Sequence, residues 1–314
     1  MDKIELTNGK TTVGVLPSLG GRVVSVGVVG GENLLDSDPK YWKAPFPKPA
    51  LETPFAPWNG RIVWVGPQTG FWSQQDLRPD LKAAKAVWPP DPFNEAGRFE
   101  VLERTPTRLL LKGAVSPVTG LALEHEYEIT GDQTVRMKVT ATNGRPTPVS
   151  WDLWPNTRVR PQGSAYVPLG PEPPRVDGGH EEKIGSYPYK VEGGWASIRP
   201  GARPTPPQEK LWTKLYLRPE RGLIAFFYRR HLLLIRAALV PKELLHPEQA
   251  FIELYRGAAL DPAEDVLELE MHGRYQTLAP GASMSFEQTF EVQDGVDDPA
   301  RPAEHLARLA RLPR

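Results

Sequence analysis

The chain has 314 residues, and its 38 Lys plus Arg are balanced by 38 Asp plus Glu, so no overall basic field exists to hold nucleic acid or an anionic membrane. Cysteine is absent, which excludes disulfides, thiolate nucleophiles, iron–sulfur clusters and cysteine-ligated zinc. The 35 prolines and 28 glycines, about a fifth of the chain, stay below the roughly 25–30% of low-complexity disorder, and the 39% apolar content can build a substantial core.

The start, Met1-Asp2-Lys3-Ile4-Glu5, has no basic segment leading into an apolar run, and nowhere do 18 apolar residues follow one another. The expectation is a cytoplasmic protein without a membrane span; a periplasmic or secreted location stays open if a signal peptide has been removed. In chain order, the Ile4-Glu5-Leu6 run and segments 11–16, 22–29, 61–65, 98–103 and 108–115 read as strands. Leu121, Leu123, His125, Tyr127 and Ile129 share one face of the next strand, and 134–140 alternates polar and apolar residues. Asn8-Gly9, Gly30-Gly31, Gly131-Asp132 and Asn143-Gly144 supply the hairpin turns. Strands follow at 148–153, 211–217, 222–228, 231–239, 250–255, 265–271 and 284–292. Segments 74–86 and 241–247 suit a turn or two of helix.

Residues 303–312 place Leu306, Leu309 and Leu312 on an apolar stripe after Pro302, predicting a terminal helix packed on a sheet edge. The stretch 161–207 is rich in Pro and Gly and reads as a flap over one sheet face, or a plain surface excursion, rather than regular strand. The pattern is all-β: a large antiparallel sandwich over 1–296 with 161–207 as a flap within it, and a helix over 297–314 packed against it.

No Gly-rich phosphate loop, nucleophile elbow or zincin motif occurs, and the six histidines lack ligand spacing, so no metal and no cofactor are expected. The most informative segment is Val266 to Gly273. As a strand it turns Leu267, Leu269 and Met271 into a core, and Glu268, Glu270 and His272 onto the other face. Two carboxylates beside an imidazole are ingredients of acid–base catalysis, because repulsion raises one carboxyl pKa and histidine titrates near neutrality. A solvated outer face of an edge strand has the same pattern. Phe251, Glu253 and Tyr255 share a face of the preceding segment, which can pair antiparallel with the glutamate strand across 257–264; Glu253 paired to Arg256 on the surface is the alternative.

Aromatic residues cluster with polar ones. Trp58, Trp64, Phe71, Trp72 and Trp88 are interleaved with Asn59, Arg61, Gln68, Gln74 and Gln75, and Trp151, Asp152, Trp154, Asn156 and Arg158 form a second group. Flat rings stack on sugar faces while amide, carboxylate and guanidinium groups bind hydroxyls, so a neutral small-molecule carbohydrate is the ligand this composition suits. Many of these rings will serve as plain core.

Four segments resemble the galactose mutarotase-like superfamily, which includes the aldose 1-epimerases. These are Thr7 to Pro17 with Gly20-Gly21-Arg22 and Glu32-Asn33-Leu34-Leu35; Trp58-Asn59-Gly60-Arg61-Ile62; Ile252 to Gly257 with Leu269-Glu270; and Thr277 to Ser283 before a final strand. The resemblance implies a β-supersandwich and a pyranose substrate. It implies Glu270, or Glu268 one pleat away, as the base that takes the anomeric hydroxyl proton, and Arg61 as a ligand of ring hydroxyls. The epimerase acid, a histidine on a middle strand, has no counterpart in Ser150 to Thr157, and the second family histidine corresponds to Gln68. His272 or Asp152 is then the acid candidate. Trp58, Trp154, Asn156, Glu253 and Tyr255 complete the expected sugar contacts. A sugar-binding module without turnover, and a lyase or hydrolase relative using Tyr255 with Glu270, are the competing classes.

Overall fold

The computed structural model describes residues 3–43, 45–178, 187–200, 210–295 and 302–312. Twenty strands are found among them. The first nine are β1 (Ile4–Thr7), β2 (Thr11–Leu16), β3 (Arg22–Val28), β4 (Arg61–Gly66), β5 (Phe99–Arg104), β6 (Arg108–Gly113), β7 (Leu121–Ile129), β8 (Thr134–Asn143) and β9 (Val149–Val159). They are followed by β10 (Ser164–Pro168), β11 (Arg175–Gly178), β12 (Tyr189–Glu192), β13 (Trp195–Ile198), β14 (Lys210–Leu217), β15 (Leu223–Tyr228) and β16 (His231–Arg236). The last four are β17 (Ile252–Ala259), β18 (Val266–Met271), β19 (Gln276–Leu278) and β20 (Ser283–Gln293). Three short helices, α1 (Pro79–Ala83), α2 (Pro92–Ala96) and α3 (Pro302–Leu309), complete the set.

The strands form two ten-stranded sheets. One runs β1-β2-β3-β4-β9-β18-β17-β14-β11 with β19 beside β9, and the other β12-β13-β10-β15-β16-β20-β8-β7-β6-β5. The sheets face each other across one core, in which Leu123 and Tyr127 of β7 and Met137 of β8 meet Val63 of β4 and Leu269 of β18. The period-two alternation of the sequence is what builds it, one face of each strand entering the core and the other leaving it.

Two expectations need correction. The described part of 161–207 is regular strand rather than a flap: it holds β10 to β13, and β10 is a fully buried strand between β13 and β15. Its prolines fall where they do no harm. Pro168 ends β10, Pro171, Pro173 and Pro174 lie in the turn before β11, and Gly193-Gly194, both at positive φ, close the β12–β13 hairpin, a conformation that favours glycine. The rest of that stretch, 179–186 and 201–207, lies outside the described residues. The terminal helix packs on a face rather than an edge. Leu306, Leu309 and Leu312 of its stripe sit on Tyr166, Phe227 and Leu232, on the side of β10, β15 and β16 away from the core. Those strands are covered on both faces, which explains why Leu223 to Tyr228 is an unbroken apolar run.

Candidate functional site

The outer face of the first sheet carries the chemistry. Register fixes it: Glu270 of β18 lies between Asn156 of β9 and Glu253 of β17, and Glu253 opposes Tyr216 of β14. One pleat along, Arg158, Glu268, Tyr255 and Lys214 form a second row. Cross-strand neighbours on one face stand about 4.5–5.5 Å apart at Cβ, so the two rows bring three carboxylates and two cations together. The inward partners Leu267, Leu269 and Met271 anchor β18 in the core, as its alternation requires.

Above this floor opens a cavity of about 810 Å³ whose lining includes Glu268, Glu270, Lys214 and Arg158, within the range typical of small-molecule sites. Its walls are aromatic. Phe55, Trp64, Trp88 and Trp154 stand on one side, and Trp212, Tyr216 and Tyr255 on the other. A side chamber of about 190 Å³ shares Gln68, Trp154, Lys214 and Tyr216 with it and adds Glu253 and His272.

Lys214 organises the floor. Its ammonium contacts Glu253 Oε2 at 2.7 Å and donates to Glu270 Oε2 at 3.0 Å, while the indole N–H of Trp154 donates to the same Glu270 oxygen at 2.8 Å. Glu270 Oε1 is buried with no protein partner. Glu268 is held by Arg158, whose Nε donates to it at 2.6 Å.

Behind Trp154, the His272 ring lies at 5.1 Å between centroids. Its Nδ1 is 3.1 Å from Asp152 Oδ2 and 2.8 Å from the Gln249 amide, and its Nε2 is 3.5 Å from Glu253 Oε1. Gly66 makes this approach feasible, since a Cβ there would stand 2.1 Å from Gln249 Nε2 and 2.2 Å from Asp152 Oδ1.

The charges set the proton affinities. Burial raises the Glu270 carboxyl to about 7; the pull of Lys214 opposes this, and repulsion by Glu268 and Glu253 adds to it. Burial alone would also raise Glu253, but the positive charges of Lys214 and His272 outweigh it and hold that carboxyl at about 2. His272 moves the other way. Burial disfavours its charged form, yet Glu253 and Asp152 overcome it and lift the imidazolium to about 9. The cluster thus favours the protonated forms of Glu270 and His272 and the ionised form of Glu253. Glu253, Glu270 and His272 each offer an atom within 4.8 Å of the others, a spacing that suits a metal ion; here the cation between the two carboxylates is the Lys214 ammonium.

A family profile described as "Domain of unknown function (DUF4380)" matches residues 1–293. The chain belongs to this family. None of the curated proteins matches it. Among solved structures, a galactose mutarotase-like protein from Lactobacillus casei superposes with a TM-score of 0.57 at 14% identity, covering 93% of this chain and 100% of that one. A galactose mutarotase related enzyme from Lactobacillus acidophilus gives 0.56 at 10% identity, over 94% and 99%. An aldose epimerase homologue from C. elegans gives 0.50 at 13% identity, over 94% and 99%. At these identities the shared property is the fold: the chain has the same β-sandwich fold as these galactose mutarotase-like proteins.

In this DUF4380 site the structure gathers Glu270, Glu268, Glu253, Tyr255, Trp154 and Gln68 around the cavity and its side chamber. It also sets His272 and Asp152 together behind them. Asp152 is fully buried and its Oδ2 is engaged by the imidazole. It contacts His272 and does not line the cavity or its side chamber.

Asn156 shares the face but faces a narrow crevice with Arg22, Asn59 and Arg158, where both atoms of its amide lack a protein partner. Arg61 does not belong to the site. Ile62 and Trp64 point outward, so the residue beside them points inward, and the Arg61 guanidinium donates to Gln288 between the sheets at 2.9 and 3.2 Å. Period-two parity overrides the resemblance here. Trp58 is also elsewhere, packed on Leu16, Leu19 and Val24. Phe251, just before β17, packs into the core with Ile252 and Leu254. Glu253 pairs with Lys214 and His272, while Arg256 takes Asp265 at 3.1 Å.

The main residue missed is Lys214, with Trp212 and Tyr216. The signal was present in Leu211-Trp212-Thr213-Lys214-Leu215-Tyr216-Leu217, whose alternation places a lysine between two aromatics on one face. Arg158, rather than Arg61, is the guanidinium of the floor.

Proposed function

We propose that the cavity binds a pyranose carbohydrate and interconverts its anomers by acid–base ring opening, with Glu270 as base and His272 as acid. The observation that supports this best is the unpartnered Glu270 Oε1 with the His272 imidazole nearby, Glu270, Glu253 and His272 offering atoms within 4.8 Å of one another. An anomeric carbon carries two oxygens, the hydroxyl and the ring oxygen, so an acid and a base this close can serve both.

Glu270 takes the proton of the anomeric hydroxyl, whose O–H electrons form the carbonyl while the C1 to ring-oxygen bond breaks. The ring oxygen takes the proton of His272 Nε2. Rotation about C1–C2 and the reverse transfers close the ring as the other anomer, and both residues return to their starting states. Asp152 holds Nδ1 and keeps Nε2 the transferring atom. The names of the L. acidophilus and C. elegans proteins, a galactose mutarotase related enzyme and an aldose epimerase homologue, are in keeping with this chemistry. Neither Glu270 nor His272 touches bulk water, and Lys214, 15% exposed at its side chain, is the open member of the cluster. A sugar therefore meets the ammonium first, and its flexible stem yields to admit a hydroxyl.

Exchange NMR on a panel of free sugars tests the proposal. Anomer exchange is accelerated above buffer by the protein, and Glu270→Gln lowers the acceleration by about 10²–10⁴-fold. Full activity in that variant excludes Glu270 as the base. Shift changes without exchange mark a binding module, and new unsaturated ends from oligosaccharides mark a lyase.

A further inference from the structure

The cavity is larger than its floor needs, and its aromatic residues fall into two groups. Trp212 and Tyr255, with ring centroids 6.2 Å apart, rise from β14 and β17 beside Lys214 and Glu268. Phe55 and Trp88 pack edge to face at 4.6 Å, Trp88 stands 6.2 Å from Trp64 of β4, and Phe55 lies 5.7 Å from the Arg158 guanidinium of β9. Between β14 and β9 are three strand steps, and between β14 and β4 four, which is about 14–19 Å of backbone separation at the usual strand spacing. The two groups stand on opposite sides of a cavity whose volume exceeds what one six-membered ring fills. Trp88 is also 43% exposed, an aromatic surface left open at the cavity mouth while Trp154 and Trp64 are buried.

We propose that the ligand is an oligosaccharide of two or more rings: its reducing-end ring lies on the floor against Trp212 and Tyr255, and the next ring stacks on Trp88. This rests on the carbohydrate reading above and narrows it to a substrate class. The volume of about 810 Å³ gives the room. The floor is charge-balanced, with Lys214 and Arg158 both engaged by carboxylates, so a neutral glycan fits better than a charged one. The carboxylates lie on β18, whose neighbour β17 carries Tyr255, with β14 of Trp212 one strand further, so in this proposal the free anomeric carbon lies on that side and the linkage to the next ring points to the mouth.

Calorimetric titration of gluco-, galacto- and manno-oligosaccharides from one to four rings, against the full chain and its Trp88→Ala variant, decides this. Affinity should rise from one ring to two and then level off. Trp88→Ala should weaken the two-ring ligand by roughly threefold to tenfold and the one-ring ligand by clearly less. Trp88 is partly exposed, and a thermal melt of the variant shows whether the fold is kept; Trp88→Phe, which retains a stacking face, should recover most of the loss. Equal affinity for one and two rings, equal weakening of both by Trp88→Ala, or a gain with aryl monosaccharides but not with disaccharides overturns the oligosaccharide claim while the sugar site stands. Absence of binding by every sugar overturns both.

Discussion

The two outer faces of this sandwich meet water in opposite ways. On the second sheet, β10, β15 and β16 present Tyr166, Phe227 and Leu234, and α3 lays Leu309 over them. His305 joins that layer, its ring stacked on Phe227 at 3.9 Å and its Nδ1 3.1 Å from the Tyr166 hydroxyl. On the first sheet the corresponding face carries Glu253, Glu268, Glu270, Lys214 and Arg158, and aromatic residues wall it without filling it. Both faces are withdrawn from water. One reaches that state by apolar burial, which is directionless and needs only shape; the other needs each charge matched to a partner, because an unmatched buried charge costs several kcal/mol. The charged face is therefore the one to which the proposed function assigns binding and reaction, and the apolar face the one that holds the architecture.

Breaking the charge balance should have the largest effect. Lys214→Met leaves Glu253 and Glu270 facing each other without their shared cation, and removing one partner of a buried pair typically costs about 3–5 kcal/mol. Urea denaturation should show that loss at neutral pH, and it should shrink in acid where the two carboxyls are neutral. An unchanged midpoint would mean the ammonium is not what stabilises the pair. The apolar face offers the matching test. Leu309→Ala should cost about 2–4 kcal/mol by the same method, yet leave sugar binding untouched; a loss of binding would show that the two faces are coupled.

A smaller and sharper difference lies in pH. His272 is lifted to about 9 in the folded protein, so it contributes stability that is complete below its unfolded value near 6.5 and is lost as pH rises towards 9. Glu270, raised to about 7, keeps its proton longer folded than unfolded, so stability also falls between about 4.5 and 7. Glu253, lowered to about 2, acts in reverse, contributing above 4.5 and losing that contribution towards pH 2. Thermal melts should therefore decline as pH rises from about 6.5 towards 9. His272→Gln should abolish the decline between 6.5 and 9, whereas substitutions under α3 should leave it intact.

Much of this was written in the alternation of single strands. Val266 to Met271 announced two carboxylates on one face, and their pairing with Glu253 and Tyr255 followed from a short loop between neighbouring segments. Arg61 shows the opposite case: a motif pointed to the site, while the parity of its own strand, Ile62 and Trp64 facing out, placed it in the core beside Gln288. The buried strand Ser164–Pro168 was hidden by prolines and glycines that fall at its ends and turns rather than inside it.

The sequence alone determined the class of fold, most strand positions and which side of β18 carries the acids, because side-chain period is a local property of the chain. Only the tertiary structure decided which cation sits between them, which aromatics wall the cavity, and that Asp152 serves His272. Those pairings join residues as distant as 152 and 272, or 214 and 270, and strand order across a sheet is set by packing that no local pattern encodes.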